Sequence, residues 1–557
     1  MISNTRYWFL IFLIAVVYIA GMFSTLFEND SAQFAVMAMR MVQENDFVNL
    51  FKGTNEYLDK PHMHYWLAAL SFKIFGLHDW AYRIPGLLAT FLGAYSCFGL
   101  GTLLYNKNVG KISALVFLTS QTIVLSVIDV RTDAVLTGFT IFGLWHLTAY
   151  INKNSLKHIV LGAFGAGVAF STKGQIALVV LGLPILCHLA YTRKWIRFIN
   201  WRVCVGVLVF VITIAPILYA YYLQFDLHPE KVIRGRDGRS GIIFILWEQS
   251  FERMSGEGVG KNSSDYFFFF HTFLWVFLPW TIIGLTAYYC RFKTFVKLRF
   301  KYNTKYEFLT LGGITLIFIV ISFAQFKLPH YLNIVIPLFS ILTASYLFSL
   351  NVFLKKNAIK ILLGVQYFIL AVVFIIIALF CFYIFEFEST ISYLLFGLAA
   401  IISIYFTLKQ ESYSVRIITI AVSASLLLNS VLNFHFYPNL LEYQAGSTMS
   451  KIVLDKNIPV DNIYKLSEEH TWALDFYNQE PLKITSLNSL KNSDKDIWIY
   501  VSEDELSVLY NSGYDWDREY TVNDFRITRL QARFLNPVTR KKSLNKKHLI
   551  HVFEVRE

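Results

Sequence analysis

The sequence predicts a polytopic α-helical membrane protein with a small α/β domain at its C-terminal end. Three observations predict it. The 557-residue chain is 55% hydrophobic and only 16% charged, whereas soluble domains carry roughly 25% charged residues. Its apolar residues fall into long runs separated by short basic loops, the pattern of membrane spans with positive cytoplasmic connections. From about His435 the runs stop, and short β-like stretches alternate with amphipathic ones and turns.

The first run, 7–27, is long enough to cross roughly 30 Å of hydrocarbon as a helix. With no short apolar region ending in small residues, it reads as a retained span and not a cleaved signal. About twelve more runs follow, at 83–104, 112–128, 134–150, 159–171, 175–191, 203–223, 271–290, 308–325, 331–350, 360–384, 391–408 and 416–434. With Arg6 inside, the loops at 105–111, 151–158, 192–202, 291–307, 351–359 and 409–415 are cytoplasmic, and most are rich in lysine or arginine. The opposite face receives the long loops 28–82 and 224–270, short links at 129–133, 171–174 and 326–330, and the tail. Residues 1–434 therefore form the membrane domain, and 435–557 an extracytoplasmic domain of a size that suits one small α/β fold.

The net charge of +12 lies mostly in the short loops, so it reports topology and contact with membrane lipids, and nucleic acid is excluded as a partner. The five cysteines sit inside apolar runs without metal-like spacing, which argues against a disulfide framework or a zinc site.

Polar residues with chemical potential collect on the outer face. Glu28 and Asp30 follow the first span. Asp30, with Ser31, Ala32 and Gln33 after it, fits a helix N-cap with glutamine at the third helical position. A capping carboxylate is also held ionised and in a fixed direction, as a base for an incoming hydroxyl or amine requires. In "YLDKPHMHYWL" (57–67), Asp59 and Lys60 precede a proline, and His62 and His64 open an apolar helix. Their spacing does not put both histidines on one helical face. Lys60 at a membrane boundary is a snorkelling anchor unless a phosphate sits beside it.

The link 127–139 places Asp129, Arg131 and Asp133 between two spans, where Arg131 is able to pair with either aspartate. "STKG" supplies Lys173; "WEQSFERM" supplies Glu248 and Arg253; "FKLPHY" supplies Lys327, His330 and Tyr331. Taken singly, each is explained as a solvated or paired loop charge. Taken together, Lys60, Lys173, Arg253 and Lys327 form a cationic set suited to a lipid-borne phosphate, alongside carboxylates suited to activating a nucleophile.

These motifs resemble the polytopic GT-C glycosyltransferases that use polyprenyl-phosphate sugars, in particular the bacterial branch related to protein mannosyltransferases and the lipid A aminoarabinose transferase. The resemblance rests on Asp30, "DKPHMHYWL" (59–67), "YRIP" (82–85, with Arg83), "RTD" (131–133), "TKG" (172–174), "SFERM" (250–254), "FLPW" (277–280) and "KLPHY" (327–331), in order over most of residues 1–340. It implies an inverting transfer in which an acceptor attacks the anomeric carbon and polyprenyl phosphate leaves. Asp30 matches the catalytic aspartate, and Asp133 a second polar position that orients the sugar or the site. Lys60, Arg253 and Tyr331 match the positions that grip the lipid phosphate, with Lys327 a further cation beside them. Glu28, Asp59, His64, Arg83, Asp129, Arg131, Lys173, Glu248 and His330 are secondary candidates.

The scheme requires no metal, because protein cations can do the electrostatic work, and no cofactor beyond the polyprenyl-phosphate sugar that serves as donor. It implies an envelope lipid or glycan acceptor, ahead of a protein one, and a bacterial inner membrane with the site on the periplasmic side. Ser31, Gln33, His62 and Ser250 depart from the family pattern and bear on the acceptor, not on the reaction class. The competing reading is a transporter or flippase of lipid-linked saccharides. It would be marked by duplicated halves and matching broken helices, and the sequence has no internal repeat. A weaker third reading is a non-catalytic membrane scaffold whose tail binds a partner.

Overall fold

The computed structural model describes residues 2–28, 30–233, 235–255, 262, 265–353, 355–387, scattered positions between 394 and 408, 412–490 and 497–555. Among the described residues, seven helices are long and apolar enough to cross a membrane: Asn4–Gly21, Asp79–Leu104, Thr132–Lys153, Trp201–Asp226, Pro329–Val352, Lys356–Ile384 and Tyr413–Leu441. This is an integral membrane protein. The expected span at 391–408 lies largely outside the described residues.

In chain order the membrane part begins with α1 (Asn4–Gly21) and then leaves the bundle. The stretch 28–82, expected as a loop, is a folded layer. It holds α2 (Asp30–Gln43), a hairpin of β1 (Phe51–Lys52) and β2 (Asn55–Glu56), and α3 (Met63–Phe75). The apolar faces of α2 and α3 explain this: Phe34, Met37, Met41, Tyr65 and Phe72 bury together, and Trp472 and Phe476 of the C-terminal domain close the cluster from the other side. Next come α4 (Asp79–Leu104), α5 (Lys107–Leu118), α6 (Gln121–Ile128), α7 (Thr132–Lys153), α8 (Leu156–Lys173), α9 (Ile176–Thr192) and α10 (Trp201–Tyr221), followed by an antiparallel pair of short strands, β3 (Val232–Ile233) and β4 (Arg236–Asp237).

The run expected as one span at 112–128 is instead broken. α5 and α6 meet at 54°, and Ser120 bonds back to Val116 O at 2.6 Å where the first helix ends. The run 271–290 is divided too, into α12 (Phe268–Val276) and α13 (Thr281–Lys297), after a short α11 (Gln249–Ser255). Pro279 has no backbone N–H with which to continue the ladder. α13 also runs into the stretch expected as the cytoplasmic loop 291–307. Then follow α14 (Leu309–Ser322), a 3₁₀ turn (Pro329–Val335), α15 (Ile336–Val352), α16 (Lys356–Leu379) and α17 (Tyr413–Val431), whose helix continues to Leu441, past the expected boundary at 434.

Opposite ends of the bundle differ in chemistry. At one end a buried network joins Tyr105, Glu307, Arg291 and Ser345, with Arg291 donating to Tyr105 Oη at 2.8 Å and Ser345 Oγ at 3.1 Å. Asn4 is held there by Lys111. The other end carries the candidate site and the C-terminal domain.

That domain has α18 (Ala445–Asp455), β5 (Ile463–Lys465), α19 (Trp472–Asn478), β6 (Lys483–Ile484), β7 (Ile497–Ser502), α20 (Glu503–Asn511), β8 (Tyr514–Asp524) and β9 (Asn545–Val555). The five-stranded sheet runs β6-β5-β7-β9-β8; β5 is parallel to β6 and β7, and β9 is antiparallel to β7 and β8. Alternation along β7 makes both faces apolar. Trp498 and Tyr500 pack with Met449 and Leu474, whereas Ile499 and Val501 pack with Leu509 and Tyr514.

Candidate active site

Helix ends and short turns bring the polar groups together. Asp30 is the first residue of α2, not its cap, and Gln33 bonds Met37 Sδ at 3.8 Å, one turn further along the helix. The Asp30 carboxylate is instead held across space: Arg131 donates to its Oδ2 at 2.8 Å and to Asp129 Oδ2 at 2.9 Å. Burial works against the Arg131 charge, but Asp129 and Asp30 outweigh it and hold the guanidinium above its ordinary pKa. Asp133, in the first turn of α7, is buried; Lys173, the last residue of α8, donates to its Oδ1 at 2.6 Å, and His330 Nε2 lies 3.7 Å from its Oδ2. Gly174 follows Lys173 at φ +69°, which releases the chain from α8 and leaves the lysine facing inward. Lys173 Nζ lies 4.8 Å over the Tyr331 ring.

These residues line a cavity of about 170 Å³ with Asp59, Lys60 and Lys52. Gln249 Nε2 donates to the Asp59 carbonyl at 2.5 Å, tying the Asp59–Lys60 loop to α11. A second cavity, of about 330 Å³, shares Asp133, Lys173, Phe326 and Tyr331 with the first and is otherwise mostly apolar, lined by Leu136, Ile176, Val179, Phe251, Ile321 and Ala324 among others. A polar chamber thus opens into a greasy groove, and Lys173 stands at the junction.

Of the residues selected from sequence, Asp30, Asp59, Lys60, Arg131, Asp133, Lys173, His330 and Tyr331 meet in the chamber, and Asp129 reaches it through Arg131. The others go elsewhere. Arg83 is buried and donates to the carbonyls of Met22, Ser24, Thr25 and Ile128, satisfying the chain where α1 and α6 end. His64 is buried behind α2, 2.9 Å from Tyr82 Oη, and burial pushes its pKa down to about 4. Lys327 is also buried: it donates to the Asp265 carbonyl at 2.7 Å, and its backbone N–H to Asn262 Oδ1 at 2.7 Å. It braces a loop and points away from the chamber.

Glu248 is bound by Arg239 at 2.8 Å, and Arg239 also holds Glu252. Glu28 turns toward the C-terminal domain, where Ala473 N donates to its Oε2 at 3.2 Å. The side chain of Arg253 lies outside the described residues. His62 is structural, 2.7 Å from the Val48 carbonyl, with burial pushing its pKa down to about 4.

Lys52 was not selected from sequence. It sits at the hairpin tip, before Gly53 at φ +62°. Burial lowers its ammonium below the ordinary lysine range, and Asp30 pushes it back up. The available signal was "FKGTNE", a glycine-bearing turn between short strands.

Residues 59–219 match the family described as dolichyl-phosphate-mannose-protein mannosyltransferase. Among solved structures, ArnT from Cupriavidus metallidurans bound to undecaprenyl phosphate superposes with a TM-score of 0.74 at 16% identity, over 98% of each chain. The fold is that of ArnT. The resemblance to GT-C transferases drawn from the motifs therefore holds for the architecture, C-terminal domain included. Curated relatives include undecaprenyl phosphate-alpha-4-amino-4-deoxy-L-arabinose arabinosyl transferases. The protein from Proteus mirabilis is 22% identical over 55% of this chain and 53% of its own; that from Wigglesworthia glossinidia brevipalpis is 23% identical over 60% and 57%. The matched region thus spans about half the length of these relatives.

Proposed function

We propose that this protein is a membrane glycosyltransferase that moves a sugar from a polyprenyl-phosphate donor to an envelope lipid or glycan on the periplasmic face of a bacterial inner membrane. The observation that carries this reading is the junction itself: an apolar groove that suits a prenyl chain ends at Lys173 and Tyr331, in a chamber that also holds Lys60 and the Asp30–Arg131 pair. The names of the relatives and the ligand of the ArnT structure favour undecaprenyl phosphate as the carrier.

In this mechanism the donor phosphate lies against Lys60, Lys173 and Tyr331. These cations and the hydroxyl offset the charge that grows on the leaving phosphate. The acceptor approaches from the opposite side of the sugar, past α2, and inverts the anomeric centre. Asp30 meets it there. Arg131 fixes one carboxylate oxygen, and the other has no hydrogen-bond partner among the described residues, so it is placed to accept the acceptor's proton. Asp133, neutralised by Lys173 and faced by His330, orients the phosphate-binding lysine.

Mass spectrometry of lipid-linked sugars and envelope glycans in a deletion strain tests the reading. It expects accumulation of one polyprenyl-phosphate sugar and loss of one envelope modification. Unchanged pools of both would overturn it.

A further inference from the structure

The chain just ahead of Asp30 is gripped from the C-terminal domain. Tyr477 Oη accepts from Leu26 N at 2.8 Å and donates to Asp79 Oδ2 at 3.2 Å. Gln444 takes both sides of the same segment: its Oε1 accepts from Glu28 N at 2.8 Å, and its Nε2 donates to Leu26 O at 2.9 Å. Glu28 completes the contact in the other direction, its carboxyl accepting from Ala473 N at the start of α19. Two residues later Asp30 begins α2, whose inner face packs on Trp472 and Phe476.

We propose that Glu28 is a positioning residue for the transfer reaction: seated between Gln444 and the first turn of α19, it fixes the C-terminal domain to the segment that aims Asp30 into the chamber. The role rests on the glycosyltransferase reading of the site, and it gives the C-terminal domain a part in catalysis although none of that domain's described residues lines the chamber.

The surroundings of Glu28 make the seat sensitive to pH. Among the described residues no cation lies within ion-pair distance of its carboxyl, and Asp475 of α19 and Asp524 of β8 both face it with like charge. Tyr500 of β7 lies close enough to feel its charge, and Asp475 is itself pushed up to about 6 by burial. Burial first, then Asp475 and Asp524, lift the Glu28 carboxyl from 4.5 to about 8, against the opposing pull of the Ala473 and Trp472 N–H groups. A group whose folded-state pKa is raised stabilises fully below its ordinary value, and that contribution is lost as pH rises through the folded value. The grip therefore weakens as pH climbs toward 8 and is weakest above it. Glutamine keeps the carbonyl acceptor for Ala473 N–H but cannot ionise.

The test uses purified full-length protein in detergent. Hydrogen exchange of 24–34, corrected for the chemical rate, is compared between pH 6 and pH 9 for the parent, Glu28→Gln and Glu28→Ala. The parent is expected to lose protection at the higher pH, Glu28→Gln to stay level, and Glu28→Ala to be unprotected at both. Turnover is then followed with undecaprenyl-phosphate 4-amino-4-deoxy-L-arabinose as donor probe and lipid A as acceptor probe. Glu28→Ala should lower kcat by about 10–100-fold with the donor KM unchanged, as a small misplacement of a reacting group does, and Glu28→Gln should restore it. Equal protection in parent and Glu28→Ala, or a Glu28→Gln profile that keeps the parent's pH dependence, overturns the role of Glu28. Asp30→Asn separates the two levels. If that variant keeps full turnover, the proposed function fails, while the exchange measurement still decides the coupling.

Discussion

Asp30 and Arg83 are both polar residues near the end of the first span, yet their chemistry diverges because of what faces them. Asp30 is 42% exposed and meets an arginine on one oxygen. Its replacement by asparagine keeps the shape and removes the proposed proton acceptor. Asp30→Asn is expected to lower kcat by about 10²–10⁴-fold, with donor affinity unchanged in a binding assay on purified protein. Arg83 has no access to the chamber and serves carbonyls that would otherwise be orphaned where two helices end. Arg83→Leu should cost about 1–3 kcal/mol for each carbonyl left dry. It should show as a lowered thermal midpoint and reduced yield in membranes, and the surviving fraction should retain its kcat. Sequence placed both residues in the site, since both follow the family's motifs. Only the neighbours, 45 or more residues away in the chain, tell the proposed base from the brace.

At the scale of elements, the spans were legible because an apolar run is a local property of the chain. The layer 28–82 was less so. Its hairpin is held by Gln224, which bonds Leu50 from 174 residues away at 2.9 and 3.0 Å, and no local signal reports a partner that distant. The break between α5 and α6 hid for a related reason: it contains neither proline nor glycine, and the run stays apolar on both sides. Close helix contacts are the other element-level feature. α4 and α7 approach until Gly138 lies against the Ala89 backbone, where a Cβ would strike the carbonyl. In a membrane such small-residue contacts supply much of the packing energy. Gly138→Leu must separate the two helices, at a cost of about 1–3 kcal/mol. Because α7 carries Asp133 and follows Arg131, it should also reduce turnover. Thermal unfolding in detergent and kcat measured on the same preparation check both effects.

For the whole molecule, the arrangement of polarity is what suits a lipid-borne substrate. Charged groups collect where helices end, on the side covered by the C-terminal domain, and the groove runs from them between α9, α11 and α14. Its walls include Trp247, Phe251 and Met254, at 62%, 51% and 51% exposure. Uncovered apolar surface of this kind marks contact with a membrane or an apolar ligand. If the chain occupies the groove, binding energy comes from a part of the donor remote from the bond that breaks, so obstruction should act on binding and spare the chemical step. Ala324, at the groove's wall near Phe326, offers a place to test this. Ala324→Trp is expected to raise the KM for an undecaprenyl-phosphate sugar by about tenfold, roughly 1.4 kcal/mol. For a donor with a truncated prenyl chain the KM should change little, and kcat should be preserved for both. An equal loss with the two donors would place the prenyl chain outside the groove. Unchanged kinetics with both would mean that the groove is not used at all.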